Sequence, residues 1–286
     1  MRKFLHHRLK SLEARFRRSV WRTAFAALAL ALTVGACEST DKDVYIERPV
    51  EELYSTAHNA MLAGDYSVAA KGFDEVERQH PYSTWATRAQ IMAAFCYYQD
   101  NDYDQAIIAA QRFIELHPGH EDTAYAYYLS AISYYEQISD VGRDQNATLL
   151  AFDSLEEVTR RYPATPYAKD AKLKLDLARD HLAGKDMEVG RYYLKRGQYI
   201  AAVGRFRTVI EQYQTTSHAP EALHRLTEAY LSLGLRQEAQ TAAAVLGHNF
   251  PRSTWYRDSY ALLEGVDLAP QDDEGSWISR AFDSVF

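Results

Sequence analysis

The sequence predicts an all-α solenoid of five helix-turn-helix repeats. Three observations carry this reading. One spacing of apolar residues recurs five times, a small residue usually followed three positions later by a tyrosine precedes each recurrence, and the interval is 37 residues wherever nothing is inserted. Such spacing places small and large apolar side chains on one face of a helix. A fixed period of this length marks a stacked repeat, in which each unit buries its apolar face only against its neighbours.

The N-terminus comes first. Residues 1–36 hold Arg2, Lys3, Arg8, Lys10, Arg15, Arg17, Arg18 and Arg22 against the single acid Glu13, followed by an apolar run from Ala24 to Val34. That run is 11 residues, too short to cross a bilayer and suited to a signal peptide. It ends in Leu32-Thr33-Val34-Gly35-Ala36-Cys37, small residues before a cysteine, as a lipoprotein signal peptidase requires. The expectation is a signal peptide over 1–36, a covalent lipid on Cys37 and a polar tether over 37–49. Without residues 1–36 the net charge falls from −7 to −14. So acidic a chain repels nucleic acid, and nucleic-acid binding is excluded. With Cys37 acylated, Cys96 has no disulfide partner and reads as a small core residue.

The front section, 50–166, contains three repeats. Their second helices read Tyr66, Ala69, Phe73, Val76, Pro81; then Tyr103, Ala106, Ala110, Phe113, Pro118; then Thr148, Ala151, Leu155, Val158, Pro163. The proline ends each helix. The preceding helices carry Ala57 with Ala60, Ala94 with Tyr97, and Ala131 with Tyr134. Eight residues are inserted in the third repeat, around Ser139 to Gln145. The section over 167–264 begins with a helical run from Tyr167 to Leu182, with a break expected at Gly184. Two repeats follow: Gly190 with Tyr193 before Tyr199, Ala202, Phe206, Val209, Gln214; and Thr227 with Tyr230 before Arg236, Ala239, Ala243, Leu246, Pro251. The last section, 265–286, is an acidic stretch and then an apolar stripe of Trp277, Ile278, Ala281, Phe282, Val285 and Phe286. It reads either as a frayed tail or as a helix that docks onto the array or a partner. This repeat resembles the tetratricopeptide repeat, lengthened after the proline.

Sites of chemistry are not expected. His117 and His120 are three apart on a turn, without a Cys, Asp or Glu set to complete a metal site. Ala183-Gly184-Lys185-Asp186 lacks the glycine spacing of a phosphate loop, and no Gly-x-Ser-x-Gly elbow occurs. No cofactor and no enzyme activity are expected. Function then rests on surfaces. In tetratricopeptide arrays the first helix of each unit lines a groove, at positions three before, one after and four after the small residue. Here these are Tyr54, His58 and Met61; Ile91, Phe95 and Tyr98; and Tyr128, Ile132 and Tyr135, with Tyr125 and Arg88 one turn earlier. Aromatics supply large contact area at low entropic cost and suit an extended or aromatic-rich peptide. The same rings would also serve packing between helices. A second surface is the basic cluster Lys185, Arg191, Lys195, Arg196, Arg205 and Arg207, suited to steering an acidic partner.

The chain resembles the BamD (ComL) family, lipoproteins of the outer-membrane β-barrel assembly machinery, over residues 37–265. The resemblance is carried by Gly142-Arg143-Asp144-Gln145, by Arg161-Tyr162-Pro163 through Tyr167-Ala168-Lys169-Asp170-Ala171, and by His181-Leu182-Ala183-Gly184-Lys185 through Val189-Gly190-Arg191-Tyr192-Tyr193. It implies five repeats held by a lipid at the periplasmic face of the outer membrane. It implies that the C-terminal half binds a BamA-type barrel subunit through Arg205, in the run Ala201-Ala202-Val203-Gly204-Arg205. It also implies that the front repeats take the C-terminal targeting strand of unfolded outer-membrane proteins, with accessory lipoproteins of the same machinery as further partners. Glu38 after the cysteine fits outer-membrane sorting. The runner-up is a lipoprotein that links the outer membrane to peptidoglycan or a division complex.

Overall fold

A computed structural model describes residues 47–283; Cys37, the signal peptide and most of the tether lie outside them, as do Val285 and Phe286. The described residues from Arg48 onward form one unit. It contains twelve helices: α1 Val50–Leu62, α2 Tyr66–Gln79, α3 Thr84–Gln99, α4 Tyr103–Leu116, α5 Thr123–Glu136, α6 Asn146–Arg161, α7 Pro166–Lys195, α8 Tyr199–Gln212, α9 Ala219–Leu233, α10 Arg236–Asn249, α11 Thr254–Glu264 and α12 Trp277–Asp283. Helices α1 to α10 are five antiparallel pairs, and each packs on its neighbour in sequence. The all-α repeat fold is the one the sequence predicts.

The recurring spacing explains the packing. Ala69, Ala106, Ala151, Ala202 and Ala239 are all fully buried, as are Phe73, Leu155 and Phe206 four positions after three of them. The small residue of the partner helix makes room. A methyl group on Gly190 would stand 2.8 Å from two carbons of the Phe206 ring, and one on Gly72 would stand 2.8 Å from the Ala57 methyl. Four of the five turns within pairs hold one left-handed residue, Gly64, Asn101, Gly197 or Gly234. That conformation reverses the chain after a helix and suits glycine or asparagine. The third pair has the insertion instead. Side-chain caps start several helices: Ser83 accepts from the Ala86 amide, and Thr165 from the Ala168 amide with Pro166 opening α7.

Three features depart from or extend the sequence reading. No break occurs at Gly184: α7 runs unbroken for 30 residues. Gly184 is buried there, and a Cβ on it would lie 3.1 Å from Nε2 of His218 and 3.2 Å from Cγ1 of Val141. The glycine thus permits a close approach by the 139–145 insertion and by the start of α9. The insertion is tied down by Gln145. Its amide donates to the carbonyls of Asp140, Val141 and Arg143 at 3.0–3.4 Å, and Lys185 donates to the Gly142 carbonyl at 3.1 Å.

Helix α11 is the second departure. It follows the fifth pair as an unpaired first helix, capping the array through Ser259 and Leu263. Buried His224 of α9 bonds the Ser259 hydroxyl at 2.8 Å and stacks near Trp255. Desolvation by burial, then the neighbouring Arg225 charge, lowers the pKa of His224 from 6.5. The depressed value means the unfolded chain takes up a proton first as pH falls. Stability is therefore full above about pH 6.5 and lost progressively below it. Protection of the α11 amides, taken relative to intrinsic exchange at each pH, should weaken as pH falls from about 6.5 to 5.5, and His224→Gln should flatten that dependence. An unchanged profile in the variant would remove His224 from this role.

The third is the tail. The stretch before α12 runs along α10, with the Gln240 amide donating to the Ala269 carbonyl at 2.7 Å. Helix α12 then packs on α8 and α10, burying Ile278 and Phe282. The docking alternative, not the frayed one, describes residues 277–283.

Candidate functional site

First helices touch one another along the array (α1 with α3, α3 with α5, α5 with α7, α7 with α9), whereas no two second helices among α2, α4, α6, α8 and α10 do. The first helices are therefore the inner layer. Their exposed edge carries the aromatic residues singled out by the sequence.

Tyr54 is half-buried, its ring 4.7 Å from Trp85 and 5.3 Å from Phe73, with His58 stacked at 6.2 Å. Arg88 is exposed nearby, and its charge opposes the rise that burial imposes on the Tyr54 phenol. Phe95 is half-buried and meets Tyr66 edge-on at 6.4 Å. Tyr98, Tyr125 and Tyr128 converge from α3 and α5, and Tyr167 of α7 lies 5.2 Å from Tyr125 and 5.3 Å from Tyr128. Ile91 and Ile132 are buried beneath them, forming the floor and offering no ligand surface. Tyr135 stands apart on α5, under the Lys174 ammonium at 5.5 Å. Met61 is half-buried against the core formed by Leu53, Ala57 and Phe73.

The electrostatics fix these rings. Tyr128 donates to Asp170 at 2.6 Å, and Lys174 pairs with the same carboxylate at 3.0 Å. The Tyr128 bond, helped by Lys174, holds Asp170 below the usual carboxylate range. Burial raises the phenols of Tyr98, Tyr125 and Tyr128, with Glu136 and Asp170 adding to the rise at Tyr98 and Tyr128. These hydroxyls thus stay protonated donors on half-buried rings. Tyr167, Trp85 and Asp170 were missed by position counting. A signal existed, since Trp85, Tyr167 and Trp255 each follow the repeat proline by four residues.

The basic residues are dispersed across several contacts. Arg191 pairs with Glu221 at 3.0 Å, joining α7 to α9, and Arg205 pairs with Asp186 at 3.1 Å, joining α8 to α7. Arg207 pairs with Glu211 at 2.7 Å and lies 4.7 Å under the Trp277 ring. Arg196 lies over Tyr192 at 4.4 Å, and Lys195 is exposed beside it. Arg205 itself is half-exposed, so its outer edge faces solvent. His117 and His120 serve the turn: His117 bonds Gln90 at 2.7 Å, and His120 accepts from the Asp122 amide. Cys96 is buried, and desolvation pushes its thiol up to about 12. No described helix is long and apolar enough to cross a membrane.

The paired helices and aromatic inner edge define a helical-repeat scaffold of the tetratricopeptide class. A family profile, YfiO, described as outer membrane lipoprotein, matches residues 46–246. The outer membrane protein assembly factor BamD of Caulobacter vibrioides is 52% identical over 86% of this chain and 81% of that protein. The factor of the same name from Rickettsia prowazekii is 44% identical over 84% of this chain and 95% of that protein. A solved thermophilic TPR protein from Thermus thermophilus aligns with 75% of this chain and 98% of its own, at 18% identity and a TM-score of 0.35. The chain belongs to the BamD family of outer membrane lipoproteins.

Proposed function

We propose that this chain is a non-enzymatic, lipid-anchored scaffold for outer-membrane protein assembly. Cys37 carries the lipid at the periplasmic face. The front repeats hold the aromatic-ended C-terminal strand of unfolded barrel proteins, and the back repeats hold a BamA-type subunit through Arg205. The single supporting observation is the inner aromatic edge formed by Tyr98, Tyr125, Tyr128 and Tyr167 over the buried Ile91 and Ile132. Such an edge offers flat apolar faces matched to the aromatic side chains of an extended strand. Holding substrate and barrel subunit on one short array raises their effective concentration into roughly the mM range.

The test is the double substitution Tyr98→Ala and Tyr128→Ala, with binding of a synthetic aromatic-ended barrel strand followed by anisotropy. Loss of two such anchors should weaken binding about tenfold or more. Helicity should be retained, because both rings are only half-buried. Undiminished binding with intact helicity would move the strand off this edge.

A further inference from the structure

The back repeats contain a groove between two second helices that this chain fills itself. Helix α12 packs against both α8 and α10. Its Trp277 ring lies over Arg207, while Gln214 donates to the Ala281 carbonyl at 3.4 Å. The repeat places the same groove between α2 and α4. Counted from the first residue of each helix, Asp74 stands where Arg207 does and Pro81 where Gln214 does. Tyr97 follows Ala94 as Tyr230 follows Thr227, and Ile108 and Ala109 match Thr241 and Ala242. These front residues line one cleft of about 520 Å³. No described helix of this chain covers it.

We infer that the α2–α4 cleft docks a short amphipathic helix of a partner protein, with a lysine or arginine between Asp74 and Tyr97 and aliphatic side chains on Ile108 and Ala109. The occupant's shape follows from α12, which fills the equivalent place. Its charge follows from what replaces Arg207. Glu77 is neutralised by Arg112 at 2.6 Å and bonded by Gln90 at 2.8 Å. Asp74 is bonded by the neutral hydroxyl of Tyr97 and feels the same Arg112 charge that already pairs with Glu77, while Arg78 pairs with Glu75, so one guanidinium faces the two carboxylates of the cleft. Surrounding protein raises the Asp74 carboxyl pKa by desolvation, so an incoming cation supplies what water does not. Ile108 is 58% exposed, apolar surface that such a helix would cover. Where α12 sets an aromatic ring against a cation, the front groove calls for a cation against a carboxylate.

Labelled synthetic peptides spanning residues 271–286 of this chain, with and without Trp277→Lys, serve as probes on the full chain in detergent. The lysine peptide should bind saturably. In the protein, Asp74→Asn should weaken it about tenfold, and Ile108→Glu should weaken it by a similar factor. Asp74→Asn keeps the shape and the Tyr97 contact, and Ile108 is on the surface, so helicity should be unchanged. Absent binding, or binding indifferent to both substitutions, overturns the site. Tighter binding of the unmodified peptide would make the occupant the tail of a second copy and overturn the charge assignment.

Discussion

Truncating Phe206 to alanine should remove about 3–5 kcal/mol of stability from the back repeats, read as a lower urea midpoint for the α7–α10 region. The ring is fully buried and belongs to a cluster with Ala202, Val209, Leu223 and Met187. Its place is cut into α7 at Gly190, where even one methyl group would press on the ring. The converse change, Gly190→Ala, should therefore overpack the same contact and cost about 1–3 kcal/mol. The two positions should be coupled: Gly190→Ala should cost less beside Phe206→Leu than alone. Strict additivity would mean that the helix pair yields elsewhere, by a shift of α8 along α7.

Ending the chain at residue 276 should lower stability by about 2 kcal/mol and speed amide exchange in α8 and α10, with the front repeats unaffected. Ile278 and Phe282 are almost wholly buried, and burying a side chain of this kind contributes about 1.5–3 kcal/mol. The order imposed on seven helical residues offsets part of that gain. Trp277 adds its contact with Arg207, whose charge also faces Glu211. An unchanged midpoint and exchange pattern would show that α12 rests on the surface without holding it. Truncation uncovers Phe250, which Phe282 meets edge-on at 6.0 Å, so the shortened chain should also self-associate more readily, measurable by sedimentation.

The repeat was legible because it is written in residue sizes. Alanine and a large apolar residue at fixed spacing specify where two helices touch, and a proline or its substitute marks where they stop. Pair α8 with α7 illustrates this: Gly190, Ala202 and Phe206 name the contact by their spacing alone. Gly184 misled because a helix-interior glycine looks the same whether it breaks a helix or admits a neighbour. The neighbour here is Val141, 43 residues away, whose approach no local pattern displays. The aromatic edge was legible as positions but not as roles. Ile91 and Tyr98 share one helix face, yet one is floor and the other rim, and only the packing of α5 and α7 separates them. The basic cluster was close in sequence and scattered in space, because consecutive residues of a helix point to different neighbours. Helix α11 was overlooked because it has no partner helix, and the stripe at 277–282 showed an apolar face without showing what it covers.

The unbroken course of α7 through Gly184 has a mechanical consequence. Thirty helical residues make a rod about 45 Å long. Its first turns carry Tyr167 and Asp170 at the aromatic edge, and its last turns carry Asp186 and Arg191, which grip α8 and α9. A rod of that length is a lever: a tilt of about 10° at one end displaces the other by about 8 Å. A tilt pivoting at Tyr167 and Asp170 would therefore move Asp186 and Arg191 against α8 and α9.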